Sequence, residues 1–231
     1  MNLTTLNEAY GEPTVLAAGG WLIGLLFGFF AQRSKFCLRA AVVEFWHRQF
    51  GEKLSVWLLT FSAAVIAIQG LIVMGDLDVS TARQLATRGS LSGALVGGLL
   101  FGAGMIMTRG CASRLLILSA NGNLRALLSG LIFAVTAQSA LSGALSPLRQ
   151  EITNVWTVEG GASRDLLTIL GWSHTTGLVV GGIWLLAALY FTTRTTQRAW
   201  MWVGGIGTGL SVALAWWFSY SVSKASFEVV H

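Results

Sequence analysis

The stretch GLLFGFFAQRSKFC at residues 24–37 has a counterpart, GLLFGAGMIMTRGC, at residues 98–111. The pentapeptide GLLFG is the same in both, and a cysteine follows nine residues after its last glycine each time. Cys37 and Cys111 are the two cysteines of the chain, 74 positions apart. The question is why an apolar protein would end two glycine-rich segments on a thiol.

The residues before the cysteines also match. Lys35 precedes the first thiol by two positions, and Arg109 precedes the second by two positions. A shared pentapeptide in glycine- and leucine-rich sequence can arise by chance, but a matched thiol and a matched cation make chance a weaker explanation. The pattern therefore predicts an internal repeat with units over 20–50 and 94–125. Internal symmetry of this kind is common in transporters.

The composition indicates a membrane protein. Of 231 residues, 54% are hydrophobic and 11% are charged, whereas a soluble domain carries about 25% charged residues. The mean hydropathy is +0.65 and the sequence pI about 9.8. Because the basic residues lie between apolar runs, they fit membrane topology and anionic lipid headgroups better than nucleic acid. The expected partner of the surface is a lipid bilayer.

Six apolar windows predict an all-α, polytopic protein. Each has roughly 18–22 residues, which as a helix spans about one hydrocarbon core. We predict one transmembrane domain over 1–231, with a polar extramembrane connection at 143–174. The windows lie near 13–31, 54–74, 91–108, 124–142, 175–192 and 199–220.

The basic residues are divided unequally between the two sides that six spans would create. Ten fall on one side: Arg33, Lys35, Arg39, Arg48, Lys53, Arg109, Arg114, Arg125, Arg194 and Arg198. Five fall on the other: Arg83, Arg88, Arg149, Arg164 and Lys224. The positive-inside rule then places the N-terminus on the periplasmic side of a bacterial inner membrane.

The glycines and thiols both have ordinary structural explanations. Gly24, Gly28, Gly98 and Gly102 are spaced as in close-packed membrane helices, so we predict a packing role for them. A free cysteine often behaves as a small buried hydrophobe. A metal site is disfavoured because there is no CxxC pair and there are three histidines. Catalysis would need a base near a thiol, and His47 has no evident partner.

The neighbourhood of the thiols favours a functional role. QRSKFCLR and TRGCASR place thiols, hydroxyls and cations directly after glycine-rich spans. Broken or re-entrant helices at these places would aim backbone N–H groups at an anion, and a glycine before the second cysteine would ease the turn. The candidate substrate-binding or permeation residues are Arg33, Ser34, Lys35, Cys37, Arg39, Arg109, Gly110, Cys111, Ser113 and Arg114. For the cations, positive-inside anchoring is the alternative.

The two cysteine motifs, together with NGNLRALLSG at 121–130, resemble the YeeE/YedE sulfur-transport family. The resemblance covers 20–145 well and 175–220 loosely. It implies an inner-membrane uptake protein built from transmembrane and short re-entrant helices. It also implies that Cys37 and Cys111 line the path and pass thiosulfate along by S–H···S contacts.

The chain departs from the family pattern in two respects. Many members have an AGGC-type motif where this chain has TRGC, so Arg109 adds a cation beside the thiol. Long members continue into a second half with a further cysteine, and this chain ends at SVSKASFEVVH without one. We therefore expect one of three cases: a fragment, a half-size member that works with a second half-size subunit, or a homo-oligomer. A cytoplasmic sulfur-carrier protein is a further candidate partner.

These features favour a permease for a small sulfur-containing anion, with thiosulfate first, in which neutral thiols act as weak donors. A thiolate would repel the anion. The alternatives are a non-transporting scaffold subunit of a sulfur-metabolism complex and a membrane enzyme of sulfur transfer. We expect no enzymatic activity, no cofactor, no metal and no nucleic-acid partner.

Overall fold

The computed structural model describes residues 3–79, 87–160, 166–195 and 199–230. Eleven helices and one two-stranded pairing make up this part of the chain. The helices are α1 Leu3–Tyr10, α2 Glu12–Arg33, α3 Leu38–Trp46, α4 Glu52–Met74, α5 Leu91–Met107, α6 Ala112–Ala120, α7 Leu124–Ser142, α8 Ser146–Asn154, α9 Leu166–Ile169, α10 His174–Thr193 and α11 Ala199–Val230. The strands are β1 Gly89–Ser90 and β2 Thr157–Val158, which pair antiparallel.

The prediction of an all-α, polytopic protein is confirmed. Six stretches of the described residues are long and apolar enough to cross a membrane: Glu12–Trp46, Glu52–Met74, Leu91–Ala120, Leu124–Ser142, His174–Thr193 and Ala199–Ser226. Each overlaps one of the six predicted windows. The largest differences are in Glu12–Trp46 and Leu91–Ala120, which run past the predicted ends at 31 and 108. Helix α11 continues ten residues past the predicted end at 220.

The described residues fall into two compact units. The first is drawn from Met1–Phe36, Arg48–Val79 and Trp172–His231, and the second from Cys37–His47 and Ser80–Gly171. A single transmembrane domain over 1–231 stays a prediction, as does the extramembrane position of 143–174. Arg83, Arg164 and Arg198, which entered the charge count, lie outside the described residues.

In the first unit, α11 packs between α2 and α4 through its own glycines. A Cβ on Gly204 would lie 2.9 Å from the Phe30 carbonyl oxygen of α2. On the other side, a Cβ on Gly209 would lie 2.3 Å from the Thr60 carbonyl oxygen of α4. Neither position has room for a side chain, so these glycines set the closest approach of the helix backbones.

A buried hydrogen bond joins the same helices. The Thr60 hydroxyl donates to the Gly205 carbonyl oxygen of α11 at 3.0 Å and to the Val56 carbonyl oxygen of its own helix at 2.9 Å. Interhelical hydrogen bonds of this kind contribute about 0.6 kcal/mol on average in membrane proteins. Close packing at the glycines therefore dominates this contact.

Polar side chains cap and join helices of the second unit. Ser90 is the N-cap of α5, and its hydroxyl oxygen accepts a hydrogen bond from the Gly93 backbone N–H at 2.9 Å. The Ser92 hydroxyl donates to the Ile152 carbonyl oxygen of α8 at 2.6 Å. Asn123 caps α7 by accepting from the Ala126 N–H at 3.1 Å. These caps satisfy helix N–H groups that have no partner within the helix.

The packing role predicted for Gly24, Gly28, Gly98 and Gly102 does not hold within the described part of the chain. A Cβ built on any of the four meets no neighbouring atom within 4 Å. Spacing of four residues places glycines on one helix face, but it does not say which face a neighbouring helix covers. Here α11 supplies the close-packing glycines, and the sequence analysis missed them.

Candidate functional site

Each cysteine is the last residue of a short turn between two helices. The first thiol turn, residues 34–37, joins α2 to α3, and the second thiol turn, residues 108–111, joins α5 to α6. Cys37 and Cys111 are the N-cap residues of α3 and α6, with extended backbones. Both of these helices have nine residues. The predicted helix breaks are therefore present in the structure, while their depth in the membrane stays a prediction.

The two turns make matching hydrogen bonds at positions 74 residues apart. In the first turn, the Ser34 hydroxyl donates to the Phe30 carbonyl oxygen at 2.9 Å. In the second turn, the Thr108 hydroxyl donates to the Gly104 carbonyl oxygen at 2.8 Å. The backbone N–H groups of Ser34 and Thr108 donate to the same two oxygens at 2.9 Å. A hydroxyl residue at the helix end thus reinforces the last turn in both places.

The cation in each turn has a left-handed backbone. The φ angle of Lys35 is 52°, and that of Arg109 is 56°. A residue with a Cβ pays about 1–2 kcal/mol for this conformation. Both side chains are exposed. The reversal of the chain is thus produced at the cations themselves.

The prediction that Gly110 eases the turn before Cys111 is wrong. Its φ lies outside the left-handed region. A Cβ there would meet the Leu115 side chain at 3.5 Å, an ordinary van der Waals contact. Glycine is therefore not required for the turn before Cys111, because Arg109 takes the unusual conformation. A substrate contact for Gly110 stays a prediction.

The two thiols lie side by side within the second unit. The sulfur atoms of Cys37 and Cys111 are 3.9 Å apart, and both cysteines are free. The Ser113 hydroxyl oxygen lies 3.3 Å from the Cys111 sulfur. Cys111 is 4% exposed, whereas Cys37 is partly exposed. The site is thus a pair of thiols with one sulfur buried and the other reachable.

The two short helices begin at the thiols. Cys37 and Cys111 are the N-cap residues of α3 and α6, and their sulfur atoms lie 3.9 Å apart. The N-termini of α3 and α6 therefore meet at the thiol pair. The positive ends of two helices therefore share one place, which favours negative charge there.

Two arginines belong to the first turns of these helices. Arg39 is the second residue of α3, and Arg114 is the third residue of α6. The Nε atom of Arg39 is buried and has no hydrogen-bond partner among the residues that the structure describes. An unsatisfied buried donor costs about 1–3 kcal/mol, and more when it is charged. Neither helix has an acidic residue in its first turn.

Three of the predicted residues have local roles in the first unit. Ser34 is fully buried, and a Cβ built on Gly204 would lie 2.9 Å from the Cβ of Ser34. The guanidinium of Arg33 stacks on Phe29 at 5.4 Å and on Trp200 at 5.6 Å, measured to the ring centroids. Lys35 makes the left-handed turn described above. Substrate contacts for these three residues stay predictions.

The sequence led us to expect backbone N–H groups aimed at an anion, but not that each cysteine is the N-cap of the following helix. A cysteine directly before an apolar helical run stands where serine or threonine would cap a helix. Read as an N-cap, Cys37 would have pointed to those N–H groups.

Interrupted apolar helices and a thiol pair at two helix N-termini define a multi-pass membrane protein with an anion-suited site. Residues 33–230 match the family model described as "Sulphur transport", so the chain belongs to the sulphur-transport family, and the expected resemblance is confirmed. A curated relative is the thiosulfate transporter TsuA of Spirochaeta thermophila, 26% identical over 193 residues. That match covers 78% of this chain and 55% of the relative, so the chain spans about half the relative's length.

Proposed function

We propose that this chain mediates uptake of a small sulfur-containing anion, with thiosulfate as the preferred substrate, through the Cys37–Cys111 pair. The observation that carries the proposal is the 3.9 Å approach of two thiols at the N-termini of two helices. Membership of the sulphur-transport family and similarity to the thiosulfate transporter TsuA support a sulfur anion.

Electrostatics supports an anion at this place. A helix N-terminus stabilises negative charge by about 0.3–1 kcal/mol when exposed and up to about 2 kcal/mol when partly buried. Two N-termini contribute at the thiol pair, and no first-turn carboxylate opposes them. If the anion reaches the Arg39 Nε, it also gives that atom the hydrogen-bond partner it lacks among the described residues.

The chemistry of the thiols supports sulfur selectivity. Neutral thiols are weak hydrogen-bond donors and soft, polarizable contacts. Thiosulfate has a terminal sulfur that such groups suit, whereas sulfate of the same charge presents only oxygen atoms. A weak site also releases its ligand, as a permeation path requires. In this proposal the thiols stay neutral, because a thiolate would repel the anion.

The finer parts of the proposal concern topology and partners. The N-terminus faces the periplasm of a bacterial inner membrane, as the distribution of basic residues favours. The chain acts as a transporter and not as an enzyme. It works as a homo-oligomer or with a second half-size subunit, and a cytoplasmic sulfur-carrier protein receives the anion.

Uptake of radiolabelled thiosulfate into vesicles that contain the purified chain tests the proposal. We expect uptake by the wild type, a sharp loss for Cys37→Ala and Cys111→Ala, and near-normal uptake for Ser119→Ala. Ser119 is a control on α6 whose hydroxyl donates to the Leu116 carbonyl oxygen. Competition by unlabelled sulfate measures selectivity, which we expect the Cys→Ser variants to lose. Wild-type uptake and selectivity in a folded double alanine variant would refute the thiol path and favour the scaffold alternative.

A further inference from the structure

The thiol pair has a second chemical capability besides weak contact with a passing anion. Cys37 and Cys111 belong to separate helix N-termini of the same unit, and the carbonyl oxygen of each accepts the first hydrogen bond of its helix. The Cys37 oxygen accepts from the Ala41 N–H at 3.2 Å in α3, and the Cys111 oxygen accepts from the Leu115 N–H at 2.9 Å in α6. The two Cα positions are therefore fixed by helix hydrogen bonds, and the sulfurs remain close with no bond between them.

The separation of the sulfurs decides what can bridge them. Two sulfur bonds of about 2.3 Å, the Zn–S length, put the sulfurs about 4.6 Å apart when collinear and closer when bent. The observed 3.9 Å fits a bent centre better than a linear two-coordinate ion. Zinc would need about four ligands, and the described residues contain no group of three or more metal-binding side chains. The pair thus suits a thiophilic atom that requires two sulfurs in a bent arrangement.

We propose that Cys37 and Cys111 form a dithiol site for trivalent arsenic, presented as an arsenoxide of the type R–As=O. One As–S bond forms to each sulfur, the As=O bond breaks, and both thiol protons leave with that oxygen as one water molecule. Arsenic stays trivalent and the sulfurs are not oxidised, so the step requires no oxidant or reductant. Soft ligands of this kind select soft, thiophilic partners.

The surroundings favour this order of events. Cys37 is the partly exposed thiol and meets the reagent first, while Cys111 is 4% exposed and closes the bridge. The second bond forms within the molecule, where effective concentrations exceed those of a free thiol in solution. Binding of arsenic by the two thiols does not rest on the proposed function.

Phenylarsine oxide and the full chain in detergent provide the test. Intact-protein mass spectrometry should show one phenylarsenic group per chain, with the loss of one water. An excess of a monothiol should leave the adduct in place, and a competing dithiol should remove it. There is no background from other thiols, since the chain has two cysteines. Release of the wild-type adduct by the monothiol would overturn the proposal.

Single-cysteine variants separate bridging from simple thiol reactivity. Cys37→Ala and Cys111→Ala should hold phenylarsine oxide more weakly by a factor on the order of 100, because one bond replaces two. Ser119→Ala should match the wild type. Cys→Ser variants repeat the measurement where an alanine variant does not elute as a folded species. Equal retention by folded single-cysteine variants and the wild type would overturn the site.

The same samples distinguish this inference from the proposed function. Tight binding of the arsenoxide by a wild type that takes up no thiosulfate would refute the function and leave the dithiol site intact. Normal uptake with no bridged adduct would refute the dithiol site and leave the function intact.

Discussion

The two thiol turns follow the same path, yet the helices that lead into them are packed differently. Ser34 in the first turn is fully buried, and Gly204 of α11 lies against it. Thr108 in the second turn is exposed, and none of the residues of α5 before it is buried. The hydrogen bond from the hydroxyl to the carbonyl oxygen nevertheless has nearly the same length in the two turns, 2.9 Å in the first and 2.8 Å in the second.

This difference shows that the turn does not depend on a covering helix. A hydroxyl residue closes the preceding helix, a cation takes the left-handed conformation, and a cysteine caps the next helix in both places. All three features are local to four residues. Packing against α11 is an addition in the first turn, which we infer stabilises the unit without shaping the thiol's backbone.

The largest expected effect concerns the thiols as a pair. If both turns serve one site, Cys37→Ala and Cys111→Ala should each lower thiosulfate uptake on the order of tenfold or more. A tenfold decrease corresponds to a loss of about 1.4 kcal/mol in the free energy with which the site stabilises the passing anion. The double variant should be no worse than the singles, because residues that act as a unit are not additive. Multiplying losses in the double variant would mean that the thiols act independently.

The second largest effect concerns glycines in two helices, Gly204 of α11 and Gly102 of α5. Gly204→Leu should destabilise the protein by about 1–3 kcal/mol or more, since the Phe30 carbonyl oxygen and Ser34 occupy the space. Gly102→Leu should be tolerated, because no atom of the described residues lies within 4 Å of its Cβ position. Thermal unfolding in detergent measures both. Equal loss in the two variants would restore a packing role for Gly102.

A third prediction uses a position at which the two helices differ. Arg39 is the second residue of α3, and the second residue of α6 is Ser113. Arg39→Leu should remove an unsatisfied buried donor and stabilise the free protein by about 1 kcal/mol. It should also reduce the rise in melting temperature that thiosulfate produces. A larger thiosulfate-induced rise in Arg39→Leu would exclude Arg39 from the anion site.

The smallest effect concerns the left-handed cations. Lys35→Gly and Arg109→Gly should each raise stability by up to about 1 kcal/mol, because glycine adopts this conformation without steric cost. Lys224→Gly is the matched control at an exposed position inside α11, where glycine should cost about 1 kcal/mol. Stability that falls in the turn variants as it does in the control would contradict the local account of the turn.

The sequence was sufficient to predict the six spans and the two helix breaks. Runs of about 20 apolar residues have one stable form in lipid, and a cation followed by a capping residue interrupts a helix locally. It could not indicate that Gly204 packs and Gly102 does not, because both lie in apolar, glycine-rich windows. The facing partner of a helix depends on contacts between residues more than 100 positions apart, as between Thr60 and Gly205.

The position of α11 between α2 and α4 has a consequence for biosynthesis. Gly205 follows its partner Thr60 by 145 residues, and at about 5–20 residues per second the ribosome needs roughly 7–30 s to reach it. During that interval the Thr60 hydroxyl lacks its partner on α11, and Gly204 does not yet cover Phe30 and Ser34. The first unit is therefore assembled late, after its early helices have already entered the membrane.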